Sequence, residues 1–129
     1  MIAHVQTAGG LAVVDLDDEV VLELDESRSI ELPAPPSVSL PRVVAAASAG
    51  STVVAVVDTK PPLVVSHDAG RTWRESGRGL PAGRAVAVSA DDPDLLVYAA
   101  RNRLYISHDG GRFWRGLAVE LPEIEAVTL

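Results

Sequence analysis

The sequence predicts an all-β protein built from repeated four-stranded sheets. The main observation is a repeat: the octet SHDAGRTW at residues 66–73 recurs 41 residues later as SHDGGRFW at residues 107–114. Short apolar runs rich in Val and Ala precede each octet, and helix signals are weak throughout. Near-continuous runs such as residues 52–57 are typical of strands that are covered on both faces. A repeat of about 40 residues with several short strands therefore indicates sheets that stack on one another.

The two octets share the pattern Ser-x-Asp-x-Gly-x-Thr/Phe-Trp. It resembles the Asp-box, or BNR repeat, of sialidases, sortilin-type receptors and photosystem assembly factors. The pattern positions are held by Ser66, Asp68, Gly70, Thr72 and Trp73, and by Ser107, Asp109, Gly111, Phe113 and Trp114. The resemblance implies blades of a β-propeller, in which the box is structural and lies away from any catalytic centre.

The residue types of the octet suit a tight turn between two strands. A short Asp carboxylate accepts hydrogen bonds from nearby backbone N–H groups, Gly adopts a positive φ without strain, and the Trp fills core volume. Calcium is a weaker interpretation, because each octet has one carboxylate and calcium takes six to eight oxygens. Zinc at His67 and His108 is weaker still, since they lie a full repeat apart and the chain has no Cys. We expect no metal and no cofactor.

The first repeat unit is expected at about residues 2–32, with strands at 2–6, 11–16 and 19–24 separated by turn signals. Shifting the first octet back by 43 positions places Asp25 on Asp68 and Ile30 on Trp73. We therefore interpret Asp25 as the Asp of a degenerate third octet. A proline-rich connection at 33–41, which includes Pro33, follows this unit, because proline is excluded from central strands.

The second and third units follow the same plan. Blade 2 spans about 42–81, with strands at 42–48, 52–58, 63–66 and 72–75. Blade 3 spans about 82–122, with strands at 84–89, 95–100, 104–107 and 113–117. Residues 125–129 then fall on 84–88 at the 41-residue offset, which predicts an extra strand at 124–128. The chain of 129 residues is thus a single propeller-like domain of three blades and one additional strand.

Three blades leave two sheet faces uncovered. If each exposes on the order of 400 Å² of apolar surface, covering one contributes roughly 10 kcal/mol as an upper estimate. We therefore expect a homodimer that closes a six-bladed ring, with residues 124–128 pairing in the partner's first blade beside or instead of residues 2–6. The alternatives are that the chain is a piece of a longer polypeptide or that its strands close as a small sandwich.

Charge and hydropathy exclude several classes of partner. The net charge is −7, and residues 1–41 alone hold eight acidic side chains against one Arg. Nucleic-acid binding needs clustered basic residues, so it is not expected. The apolar stretch 43–57 is interrupted and too short to span a bilayer, so no membrane association is expected. With no signal peptide visible, we expect a cytoplasmic protein.

The function predicted from these observations is a non-enzymatic binding or scaffold module. Glycan binding and sialidase-like glycoside hydrolysis are the alternatives, because the resemblance includes sialidases. Tyr98 and Tyr105 do not match the sialidase pattern, and the adjacent Ser66, His67 and Asp68 alternate in direction and form no catalytic relay. For a ligand in the central channel, the candidate binding residues are Arg42, Arg84 and Glu125.

Overall fold

The computed structural model describes residues 1–32 and 34–129, and over these residues the chain forms twelve β-strands. They are β1 (Ile2–Thr7), β2 (Gly10–Asp15), β3 (Val20–Asp25), β4 (Val43–Ala49), β5 (Thr52–Val57), β6 (Leu63–Ser66), β7 (Arg74–Ser76), β8 (Ala85–Val88), β9 (Leu96–Ala100), β10 (Arg103–Ser107), β11 (Arg115–Glu120) and β12 (Ile124–Thr128). In this part of the chain no helix has the length and apolarity needed to cross a membrane.

The strands form three antiparallel four-stranded sheets, which confirms the predicted all-β class and the four-stranded units. Sheet 1 has the order β12-β1-β2-β3, sheet 2 the order β4-β5-β6-β7, and sheet 3 the order β8-β9-β10-β11. Strand β8 lies against β4 on one side and against β12 on the other, so sheet 3 is the middle layer. The sheets stack in the order 2, 3, 1, as neighbouring propeller blades do.

Two clusters of buried apolar side chains hold this stack together. One joins sheets 1 and 3 through residues such as Val5, Val14 and Val97. The other joins sheets 2 and 3 through residues such as Val54 and Leu96. All five residues of β9 are buried, as expected for a strand in a sheet that is covered on both faces.

The strand at 124–128 completes sheet 1. β12 pairs antiparallel with β1 of the same chain, with Val5 opposite Val127, and it forms the inner edge of that sheet. A strand is thus present at 124–128 as predicted. It supplies the fourth strand of sheet 1, whose other three strands lie within the predicted first blade at residues 2–32, so it is not additional to three complete blades. The physical reason is burial: Ile124 and Val127 lie in the core between sheets 1 and 3.

The assignment of Asp25 to a degenerate octet was also wrong. In sheets 2 and 3 the octet follows the third strand from the inner edge, whereas Asp25 ends the fourth and outermost strand of sheet 1. The corresponding position in sheet 1 is the turn after β2, where Asp15 Oδ1 accepts the N–H groups of Asp17 (2.9 Å) and Asp18 (3.1 Å). Asp25 forms a separate turn by accepting the N–H of Ser27 at 2.9 Å.

The chain between β3 and β4, residues 26–42, is here called the connector. It is longer than the predicted connection at 33–41, and Pro33 lies outside the described residues. The described residues of the connector form no strand, and Ile30 N–H donates to Gln6 Oε1 at 3.1 Å. The connector thus leaves the outer edge of sheet 1 and returns to the inner strand of sheet 2.

The core position of β12 generates a stability prediction. The Ile124 side chain is 1% exposed between sheets 1 and 3. Replacing it in Ile124→Ala removes buried methyl groups and leaves a cavity, so the free energy of unfolding in urea should fall by about 2–4 kcal/mol. The matched control is Val20→Ala on β3, where the side chain is 44% exposed, with an expected loss of about 0.5 kcal/mol or less. Equal losses in the two variants, at the same protein concentration, would contradict the placement of β12.

Candidate functional site: the cavity between the inner strands

A cavity of about 560 Å³ lies where the inner strands of the three sheets converge. Strands β4, β8 and β12 each stand at the edge of their sheet, so each carries a row of backbone N–H and C=O groups that its own sheet leaves unpaired. Small side chains such as Ala46 and Ala126 line the cavity and shield these backbone groups little. One wall comes from the connector, through Glu31, Leu32, Ala34, Pro35 and Pro36.

Two of the three predicted channel residues lie at this cavity. Arg84 and Glu125 line it, on β8's N-terminal flank and on β12. Arg84 Nε donates to the carbonyl oxygen of Ile124 at 3.2 Å, and its guanidinium pairs with Glu123 at 3.4 Å. Arg84 therefore fixes the junction between sheets 3 and 1, while Glu125 is exposed. Their role in ligand binding stays a prediction.

Arg42 does not line the cavity. It precedes β4, and its carbonyl oxygen accepts the N–H of Asp58 at 3.0 Å. Glu31 also lines the cavity and contributes a second carboxylate. No signal in the sequence pointed to Glu31, because its position depends on how the connector folds back over the inner strands.

The octets form hydrogen-bonded turns between the third and fourth strands of sheets 2 and 3. Asp68 Oδ1 accepts Ser66 Oγ–H at 2.7 Å and Thr72 N–H at 2.8 Å, and Thr72 Oγ1–H donates to Asp68 Oδ2. These bonds, those from Thr72 first, hold the pKa of the Asp68 carboxyl well below its usual range. The Gly70 N–H donates to Ser66 Oγ at 2.8 Å, with φ at 88° for this Gly.

The second octet repeats this geometry. Asp109 Oδ1 accepts Ser107 Oγ–H at 2.8 Å and the N–H groups of Phe113 (3.0 Å) and Arg112 (3.1 Å). The bond from Phe113 is the main cause of a lowered pKa of the Asp109 carboxyl. The Phe113 side chain itself is 79% exposed, so only its backbone takes part in the turn.

The second octet also joins sheets 2 and 3. Trp114 Nε1–H donates to Ser76 Oγ at 2.9 Å, and Ser76 Oγ–H donates to the carbonyl oxygen of Gly111. Gly111 has φ at 94°, and a Cβ there would lie 3.1 Å from Val65 Cγ2 and 3.0 Å from Ser76 Oγ. Gly is therefore required by both conformation and space. Trp114 is half-buried and packs against the core between sheets 2 and 3, as expected for a Trp that fills core volume. Trp73 is also half-buried but does not belong to that cluster.

A second depression, of about 470 Å³, lies between the two octets. It is lined by His67, Arg74, Asp94, His108, Asp109 and Arg112. The fold thus brings together the two octet histidines that the sequence separates by a full repeat. Among the described residues there is no group of three or more His, Cys, Asp or Glu side chains arranged to hold a metal ion.

Comparisons with known proteins show a similarity at the level of structure. No family model matches the sequence, and no curated protein matches it. Among solved structures, the chain is similar to the crystal structure of the Niastella koreensis GH74 (NkGH74) enzyme, with 26% sequence identity and a TM-score of 0.51. The match covers 92% of this chain but 17% of the enzyme chain. It supports a propeller-like arrangement of the three sheets, and the assignment of the octets as Asp-boxes stays a prediction.

The octet carboxylates generate a pH prediction. Because their pKa values are lowered in the folded state, the stabilisation they provide is present above about pH 4, the unfolded value, and is lost as the pH falls through the folded value. The double variant Asp68→Asn/Asp109→Asn should lower the melting temperature at pH 7, and this effect should shrink steadily as the pH falls below about 4. Circular dichroism melts at a series of pH values measure this. Asp91→Asn, at an exposed carboxylate, is the control and should leave the pH profile unchanged.

Proposed function

We propose that this protein is a non-catalytic binding module whose ligand lies in the central cavity. The observation that carries the proposal is the convergence of three unpaired strand edges on one cavity of about 560 Å³. Unpaired backbone donors and acceptors bind an extended chain by adding hydrogen bonds along a strand edge. A polypeptide segment in extended conformation has the matching row of N–H and C=O groups.

Charge favours a basic segment. Arg84 is paired with Glu123, so its positive charge is largely compensated. Glu31 and Glu125 also line the cavity, and in the described chain neither forms an ion pair. The cavity therefore has an excess of negative charge, which attracts Lys or Arg side chains of a ligand and disfavours acidic ones.

Selection from a random peptide library displayed on phage tests this proposal. We expect basic peptides to be enriched, and Glu125→Arg to weaken their binding at least tenfold, because a carboxylate is replaced by a like charge. The matched control is Glu23→Arg on the outermost strand β3, which should leave affinity unchanged. Peptides that bind wild type and Glu125→Arg equally well would contradict a ligand in the cavity. Hits on a glycan array that Glu125→Arg abolishes would instead make the ligand a sugar.

We further propose that the octets are Asp-boxes and that two chains close a six-bladed ring, of which one chain is half. Sheet 3 is covered on both faces, while sheets 1 and 2 each have one neighbouring sheet. Ile2 and Val44 are 37% and 51% exposed on these end sheets. By the 41-residue correspondence, Trp73 occupies the place on sheet 2 that Trp114 occupies on sheet 3, and a neighbouring sheet would cover it as sheet 2 covers Trp114.

Glycoside hydrolysis is the second candidate function. The similarity to the GH74 enzyme favours it, as do two carboxylates, Glu31 and Glu125, at one cavity. Paired carboxylates are the catalytic groups of most glycosidases. Against a sialidase-like mechanism, Tyr98 is buried at the interface of sheets 2 and 3, with its ring centroid 6.2 Å from that of Tyr105 and its hydroxyl donating to the Pro81 carbonyl oxygen at 2.8 Å. Burial raises the pKa of Tyr98 to about 12, which disfavours a nucleophilic phenolate.

Fluorogenic glycosides, assayed at high protein concentration, separate the two functions. The binding-module proposal expects no turnover above that of buffer. The decisive comparison is among wild type, Glu31→Gln, Glu125→Gln and the control Glu23→Gln. Turnover that persists in the control and falls at least a hundredfold in both cavity variants would establish an enzyme and overturn the proposal.

A further inference from the structure

We infer that the two chains of the proposed ring exchange sheet 1, so that β12 of each chain pairs with β1 of the other. This inference rests on the ring closure proposed above and specifies how the chains are joined. A second copy of this chain is the partner, and the contact is the β1–β12 seam, meaning the paired residues of those two strands. The structure of a single chain carries three observations that favour the exchange.

The first observation is the path of the chain between sheets. Residues 77–84 lead from the outer strand of sheet 2 to the inner strand of sheet 3, and residues 121–123 lead from sheet 3 to β12 of sheet 1. Both connections are short and join neighbouring sheets. The connector, residues 26–42, is the longest of the three and joins sheets 1 and 2, which lie at opposite ends of the stack.

The second observation is that, after exchange, the connector joins two neighbouring sheets, as the other two connections between sheets do. If β1, β2 and β3 stand next to sheet 2 of their own chain, the connector also joins an outer strand to the inner strand of a neighbouring sheet. The inner strand of that sheet must then come from the other chain, and it is β12. A long proline-rich connection between the exchanging part and the rest is the hinge that such an exchange requires.

The third observation is that exchange loses no seam contact. Residue pairs such as Val5 with Val127 and the apolar cluster between sheets 1 and 3 form equally well between two chains as within one. In the ring, the open face of sheet 1 additionally meets the open face of sheet 2. Side chains alternate between the two faces of a strand, and the neighbours of these residues pack against sheet 3. Ile2 and His4 of sheet 1 and Val64 of sheet 2 therefore lie on the open faces that would meet.

Exchange also changes the cavity. In the single chain the connector supplies one cavity wall, through Glu31, Leu32, Ala34, Pro35 and Pro36. In the exchanged ring it links neighbouring sheets, and six inner strands surround the channel. The channel then has the width and two-fold symmetry of a complete ring, with two copies of Glu125.

A disulfide across the seam tests the exchange. The chain has no Cys, so the double variant His4→Cys/Thr128→Cys has one thiol pair, at positions that lie directly opposite each other and are half-buried. Opposed antiparallel residues have Cα separations within the range of a disulfide. We expect a dimer by light scattering and, after oxidation, a species of about 27 kDa, twice the 13.5 kDa chain, on non-reducing denaturing gels.

The controls separate the possible results. The control variant Val13→Cys/Glu23→Cys joins β2 to β3, two strands that stay in the same chain whether or not exchange occurs. It should therefore give a 13.5 kDa band in every case. A native dimer whose seam variant also gives only the 13.5 kDa band would overturn the exchange and leave ring closure standing. A native monomer would overturn both. If the His4 variant does not fold, Gln6→Cys/Ala126→Cys tests the same seam at a second opposed pair.

Discussion

The structure depends on the antiparallel pairing of β12 with β1. This pairing joins residues more than a hundred positions apart, with Val5 opposite Val127, and it gives sheet 1 its inner strand. The same strand places Ile124 and Val127 in the core against sheet 3, beside Val5 of β1 and Val14 of β2. It also supplies one of the three strand edges of the cavity. Without this seam, β1–β3 would be a three-stranded sheet whose inner edge is unpaired.

The octets have a more local role than the β1–β12 pairing, because they fix the turns between the third and fourth strands of sheets 2 and 3. Their Asp carboxylates hold the turn by accepting hydrogen bonds from residues ahead of them, and this is a local effect that needs no neighbouring sheet. The contact of Trp114 with Ser76 is different, because it requires sheet 2 beside sheet 3. The same residue type at Trp73 has no neighbouring sheet within the chain. The same motif thus contacts a neighbouring sheet at Trp114 and has no such contact within the chain at Trp73.

The cavity differs from a typical catalytic site in what forms its walls. Its polar groups are mainly the backbone edges of β4, β8 and β12, with few ionisable side chains among small apolar ones. Such walls recognise the main chain of an extended ligand better than they position a reacting atom. The similarity to the GH74 enzyme covers 17% of that chain. The proposed binding of an extended ligand uses these backbone edges.

The sequence by itself determined the all-β class, the strands of sheets 2 and 3 and the turns at both octets, because alternation, turn residues and a 41-residue repeat act within short segments. It also indicated a strand at 124–128 and singled out Arg84 and Glu125, which line the cavity and whose role in binding stays a prediction. Only the tertiary structure decided that β12 completes sheet 1, that Asp25 ends an outer strand, and that Glu31 reaches the cavity. These features depend on strand pairing and burial between segments that are far apart in the sequence. Such segments compete for the same sheet edge, and a local sequence pattern does not show which of them buries more apolar surface at that edge.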